Sequence, residues 1–196
     1  MQVQTFLDFM HAIEKLKCNT RHSWTSNGRP ESVAEHSWRL AVMAMLCRNE
    51  YPDADVDKVI RMCLVHDFGE AITGDIPAFL KNKSDEQTEQ QAVEVLLQML
   101  PQAEQDELRE LFAEMEALET TEARLYKALD NMEALISHNE ADISTWLPRE
   151  YTLNLSYGEK NTAFSPWTQA LKAAIDCNTR EKIASAQNET EKESEK

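Results

Sequence analysis

The chain has 196 residues, 20 basic and 35 acidic, for a formal net charge of −15. A field of that sign repels nucleic-acid backbones and anionic membranes, which argues against general DNA or RNA binding. A small phosphorylated substrate stays open, because a metal ion and one or two basic residues can reverse the potential locally. Only 4 glycines and 6 prolines accompany abundant Leu, Ala, Glu, Met and Gln, so the expected class is all-α, with a single domain over residues 1–185.

Residues 3–17 carry Val3, Phe6, Leu7, Met10, Ile13 and Leu16 at three- and four-residue spacing, which predicts an amphipathic first helix. The opening MQVQTFLDFMHAIEK has no basic stretch followed by an apolar run, and no window reaches the length of a membrane span. Neither export nor membrane association is expected. A polar loop, CNTRHSWTSNGRP, follows, holding Arg21, His22 and Trp24 close together and a turn at Asn27-Gly28.

Ser32 and Glu35 form a capping box that starts a helix to about Glu50, placing His36 in its first turn. Val56, Val59, Ile60, Cys63 and Leu64 mark the buried stripe of the next helix, from about Asp55 to about Ile72, ahead of the turn Gly74-Asp75-Ile76-Pro77. Ser84 with Gln87 predicts a further capping box, and Pro101 breaks the helix that follows. Helices are expected at about 104–118 and 121–139. After Trp146-Leu147-Pro148 the pattern is lost, until Ser165-Pro166 opens a last helix to Asn178. The tail 186–196 has nothing apolar to bury and is expected to be disordered and acidic. Cys18, Cys47, Cys63 and Cys177 form no C-x-x-C pair, which fits a reduced cytoplasmic protein.

His66 lies three residues after Cys63 and seven after Val59, and Asp67 four after Cys63 and seven after Ile60, so both continue the buried stripe. A buried ionised carboxylate needs a cation, a strong hydrogen-bond network or a raised pKa, and a metal ion is the simplest partner. Hydrogen-bonded core residues are the plainer alternative for the pair. Glu70, four residues after His66, adds a second carboxylate to the same face. Asp130 sits on the flank of the apolar face set by Leu125, Leu129, Met132 and Ile136, and by periodicity alone reads as a solvated helix aspartate.

The segments ESVAEHSWRL (31–40), LVHDFGEAITGDIP (64–77) and KALDNMEAL (127–135) resemble the HD-domain superfamily, specifically its 5'-deoxynucleotidase branch. The resemblance spans roughly residues 6–140 and implies a helical fold of about seven to eight helices. It assigns His36, His66, Asp67 and Asp130 as ligands of a divalent ion, Co, Mn or a similar transition metal rather than Mg. Glu70 and Asp75 become the catalytic carboxylates and Arg21 the phosphate-binding arginine, with Trp24 and His22 near the ribose and Lys81 a further candidate phosphate contact. Histidines of the two-metal HD enzymes are missing between Phe68 and Ser137, so one metal is expected, and His138 and His11 read as incidental. The implied reaction is hydrolysis of the 5'-phosphate of nucleoside monophosphates, preferring deoxyribose, by a water activated on the metal, in a homodimer. Alternatives are an HD hydrolase of another phosphorylated nucleotide, or a non-catalytic module that binds nucleotides or a partner helix.

Overall fold

The computed structural model describes residues 1–194. Among these residues the elements in chain order are α1 (Val3–Ile13), β1 (Thr20–Trp24), β2 (Pro30–Ser32), α2 (Val33–Leu46), α3 (Val56–Val65), α4 (Glu70–Thr73), α5 (Lys83–Leu97), α6 (Gln102–Ala117), α7 (Thr121–Glu140), α8 (Glu150–Ser156), α9 (Glu159–Thr162) and α10 (Pro166–Ser194). The all-α expectation holds, with a two-stranded hairpin as its only sheet among the described residues. No described helix is long and apolar enough to cross a membrane.

Helix α7 runs through the centre, packed against α2, α3, α6, α9 and α10. Leu40 and Ala44 from α2, Val59, Met62 and Cys63 from α3, and Leu125 and Leu129 from α7 form a core with no solvent exposure. Truncating one such leucine to alanine costs about 2–5 kcal/mol, because the fixed helices around it cannot fully close the void. The predicted ligands thus lie on, or directly after, helices that share this core.

Caps fix where these helices begin. Ser32 Oγ accepts from Glu35 N at 3.3 Å while the Glu35 carboxylate accepts from Ser32 N at 2.9 Å, the reciprocal box expected from the sequence. Asp55 accepts from Lys58 N and Thr120 from Ala123 N at the starts of α3 and α7.

Five local expectations are corrected. The polar segment 18–30 contains strand β1, paired antiparallel with β2 in the register Thr20↔Ser32 and Trp24↔Pro30; strands of five and three residues are too short to show apolar alternation. The expected helix from Asp55 to Ile72 ends at Val65, and tighter turns such as Glu70 N to Asp67 O at 3.0 Å lead from it into α4. The cap of α5 is Asn82 with Asp85, two residues ahead of Ser84 and Gln87: Asn82 Oδ1 accepts from Ser84 N and Asp85 N, and an asparagine caps as well as a serine. Residues 150–162, where the pattern is lost, form α8 and α9. Helix α10 also runs past Asn178 to Ser194, through most of the segment expected to be disordered. Its Ala, Gln, Glu and Lys are strong helix formers, so the helix extends without an apolar face; residues 195–196 of that expectation lie outside the described residues.

Candidate active site and metal centre

Four side chains meet here: His36 from α2, His66 and Asp67 from the turn just past the end of α3, and Asp130 from α7. His36, one turn into α2, is fully buried, and its Nε2 lies 3.2 Å from His66 Nε2 and 3.2 Å from Asp130 Oδ1. His66 Nε2 is 3.0 Å from Asp67 Oδ2 and 3.7 Å from Asp130 Oδ1. A first-row divalent ion holds such donors at about 2.1 Å, so neighbours at right angles lie about 3 Å apart. The spacing matches that requirement. Both rings are also turned correctly: His66 Nδ1 is 2.9 Å from Cys63 O, and His36 Nδ1 is hydrogen-bonded to Glu133 Oε2, so each Nε2 is left as the inward donor. Two imidazoles and two carboxylates suit a divalent transition metal.

Electrostatics hold the cluster together. Burial pushes the Asp130 pKa up, but Lys127, whose Nζ is 2.8 Å from Oδ2, and the two histidines outweigh it and keep the group well below the usual carboxylate range. Asp67, also penalised by burial, is held down at about 2 by His66 and His36. Burial and the Arg21 charge oppose protonation of His36, yet Asp130 and Glu133 raise its pKa to about 9. Asp130, read from periodicity as solvated, is largely covered, its side chain 13 % exposed: α7 packs against α2, α3, α6, α9 and α10, so a flank position on it meets a neighbour.

Around this centre stand further charges. Arg21 on β1 places Nη1 3.3 Å from Glu31 Oε2 and 3.4 Å from Glu133 Oε2. Glu70 opens α4 and is 5 % exposed; burial first, then Asp67, Asp75 and Glu89, push its pKa up to about 10. Gly74, at φ +74°, adopts a conformation that favours glycine and turns the chain out of α4 into Asp75. The Asp75 pKa is also raised, by burial against the opposing pull of Arg21.

Arg21, His22 and Asp75 line a cavity of about 80 Å³ bounded on its far side by His138, Glu150 and Asn154. His22 Nε2 lies 3.1 Å from Glu150 Oε1, without the alignment of a hydrogen bond. Trp24 is outside this lining and meets the His22 ring edge-on at 5.1 Å. Lys81 is outside it too: its Nζ pairs with Glu89, in a separate groove with Gly74 and Asp85.

A model of the HD domain matches residues 13–172. This chain belongs to the HD-domain family. Among curated relatives of this HD domain, the 5'-deoxynucleotidase HDDC2 of Bos taurus is 36 % identical over 141 residues, 70 % of this chain and 68 % of the relative. The 5'-deoxynucleotidase hdd1 of Schizosaccharomyces pombe is 30 % identical over 140 residues, 67 % of this chain and 69 % of the relative. Among solved structures, a "predicted metal-dependent phosphohydrolase" from Magnetospirillum magnetotacticum MS-1 matches with a TM-score of 0.78 at 30 % identity, covering 93 % of each chain.

Two parts of this HD domain's site carried no weight in the sequence. Glu133, fully buried and bonded to His36, follows Leu129 by four residues and so lies in the buried stripe of α7; the rule that turned His66 inward applies to it equally. His138, read as incidental, lines the cavity together with His22, with ring centroids 6.2 Å apart. No local signal foretells that, because the second wall of the cavity comes from α8.

Proposed function

We propose that this HD domain is a 5'-nucleotidase that hydrolyses nucleoside 5'-monophosphates, with preference for 2'-deoxyribose, using a divalent transition metal at His36, His66, Asp67 and Asp130. The observation that carries this reading is the convergence of those four donors at coordination spacing, with a guanidinium and two raised-pKa carboxylates beside them. The names of the relatives, 5'-deoxynucleotidase in both cases, supply the substrate class.

A divalent ion at this centre supplies Lewis acidity, neutralising phosphate charge and acidifying water. Arg21 offers a permanently charged fork for the non-bridging phosphate oxygens, which strengthens as charge develops in the transition state. Asp75 orients the attacking water and takes its proton as the water oxygen bonds to phosphorus. Glu70, kept protonated by burial and neighbouring carboxylates, gives its proton to the 5'-oxygen as the phosphorus–oxygen bond breaks. The same reading sets the protein in a reducing cytoplasm, in keeping with four free cysteines. It also makes it a homodimer, for which Val3, Phe6 and Leu7 on α1 offer an exposed apolar face.

The test is phosphate release from dAMP, dGMP, TMP and dUMP and their ribose counterparts, by chelator-treated protein resupplied with Mn²⁺, Co²⁺ or Mg²⁺. Release from the deoxy series, weaker from the ribose series and strongest with Mn²⁺ or Co²⁺, is expected. No release with any metal would overturn the proposal.

A further inference from the structure

A charged network joins Arg21 to His36. Glu31 on β2, Glu133 and Ser137 on α7, and His36 itself are all buried. Arg21 Nη1 donates to Glu31 Oε2 at 3.3 Å and to Glu133 Oε2 at 3.4 Å, and Glu133 Oε2 also holds His36 Nδ1. Ser137 Oγ lies 3.2 Å from Glu31 Oε1 and 3.1 Å from Glu133 Oε1, and accepts from Arg39 Nη2.

Stability does not account for Glu31. Burial first, and then the Glu133 charge, push its pKa up against the pull of Arg21, His36 and Arg39. A buried ionic network is often no more stable than an apolar cluster of the same volume, because desolvation offsets the Coulomb gain. What such a network does supply is orientation. Arginine carries five N–H donors in a rigid planar fork. Both carboxylates take Nη1, and among the described residues no hydrogen bond is drawn from Arg21 Nε or Nη2. Those two nitrogens form the edge that offers parallel N–H bonds to an oxyanion. The Arg21 side chain is 16 % exposed and lines the cavity it shares with Asp75, so a ligand can reach it. The pairing with Glu31 is built into the hairpin: each residue stands one position inside the Thr20↔Ser32 pair, where opposite charges on facing strands attract.

We infer that Glu31 is a positioning residue for phosphate capture: with Glu133 it fixes Nη1 of Arg21 and leaves the Nε–Nη2 edge for the non-bridging oxygens, while Ser137 holds Glu31 in place. The inference rests on the nucleotidase reading above, in which Arg21 binds the phosphate. It also has a definite sign. A carboxylate near a phosphate site repels the ligand, so if Glu31 contributed only charge, removing that charge would tighten phosphate binding. Positioning requires the opposite.

The experiment uses the Mn²⁺-loaded protein as wild type, Glu31→Gln, Ser137→Ala, Arg21→Ala and the double variant of Glu31→Gln with Arg21→Ala. It reads the dissociation constant of inorganic phosphate by calorimetry, kcat and KM for dAMP, and Mn²⁺ affinity. Glu31→Gln keeps the side-chain volume and is expected to weaken phosphate binding and raise KM by about tenfold, the scale of a lost hydrogen bond to a charged group. Its Mn²⁺ affinity should stay at the wild-type value. Ser137→Ala should shift phosphate binding in the same direction by less, and it decides the matter if Glu31→Gln does not fold. In the Arg21→Ala background Glu31→Gln should bring no further loss, because no guanidinium is left to position. Phosphate binding that is unchanged or tightened in Glu31→Gln overturns the inference, as does an equal loss with and without Arg21. Loss of Mn²⁺ affinity in Glu31→Gln also overturns it, by making Glu31 a support of His36 instead. A wild type that binds phosphate but turns over no nucleotide is a different result: it removes the nucleotidase reading, while the phosphate affinities still decide the positioning role.

Discussion

His36 is clamped from behind by Glu133: one carboxylate oxygen holds the imidazole Nδ1, and the other accepts from Arg39 Nε at 2.6 Å. The Glu133 pKa, which burial alone would raise, is held at about 2 by His36, Arg21 and Arg39, so the group is a permanent anion. It fixes the ring's tautomer and direction and adds basicity to Nε2, the nitrogen proposed as the metal donor.

Glu133→Gln keeps the volume and removes the charge. Metal affinity, measured by competition with a chromophoric chelator, is expected to fall by about 10–100-fold. Unchanged affinity would show that the clamp does nothing for the ligand.

The same carboxylates make metal binding depend on pH. With its pKa raised to about 9, His36 carries a proton at neutral pH in the metal-free protein, and the ion must displace it. Apparent affinity should therefore rise by up to about tenfold per pH unit from pH 7 towards 9, with proton release on binding. Calorimetry in buffers of different ionisation enthalpy reads that proton directly. A pH-independent affinity with no proton release would contradict the charge assignment.

Glu70 gives a stability prediction of definite sign. Its folded pKa, about 10, lies above the ordinary 4.5, so the folded state binds the extra proton across that window. The stability this contributes is fully present below about pH 4.5 and is lost as pH rises through about 10. The melting temperature of metal-stripped protein should fall with pH over this range, His36 adding to the slope, and Glu70→Gln should flatten it. An identical slope in the variant would count against a buried, protonated Glu70.

Ser32 caps the helix that carries His36. Ser32→Ala should cost about 0.5–2 kcal/mol, or a few degrees in Tm for a chain of this length. Thermal denaturation checks this. A change within error would mean that α2 is held by its packing alone.

Legibility in the sequence tracked how local each cause is. The Ser32–Glu35 box is contained in four residues and formed as expected, while His66 turned inward because its amide still bonds to Met62 O and so keeps the helical register, with Asp67 next to it. Asp130 depended on the HD resemblance: periodicity finds one apolar face, whereas α7 is enclosed on several. The β1–β2 hairpin is too short to leave a periodic trace, and the wall supplied by α8 and the pairing of Lys81 with Glu89 arise from contacts between elements, which leave none.

The proposed metal centre, on which phosphate hydrolysis depends, needs His36, His66, Asp67 and Asp130 together, and Asp130 is its least locally determined member. The most direct measurement is bound Mn²⁺ or Co²⁺ together with phosphate release from dAMP, for Asp130→Ala beside the wild type. Metal content and activity should be lost together in the variant. An Asp130→Ala protein that releases phosphate at the wild-type rate without bound metal would contradict the account.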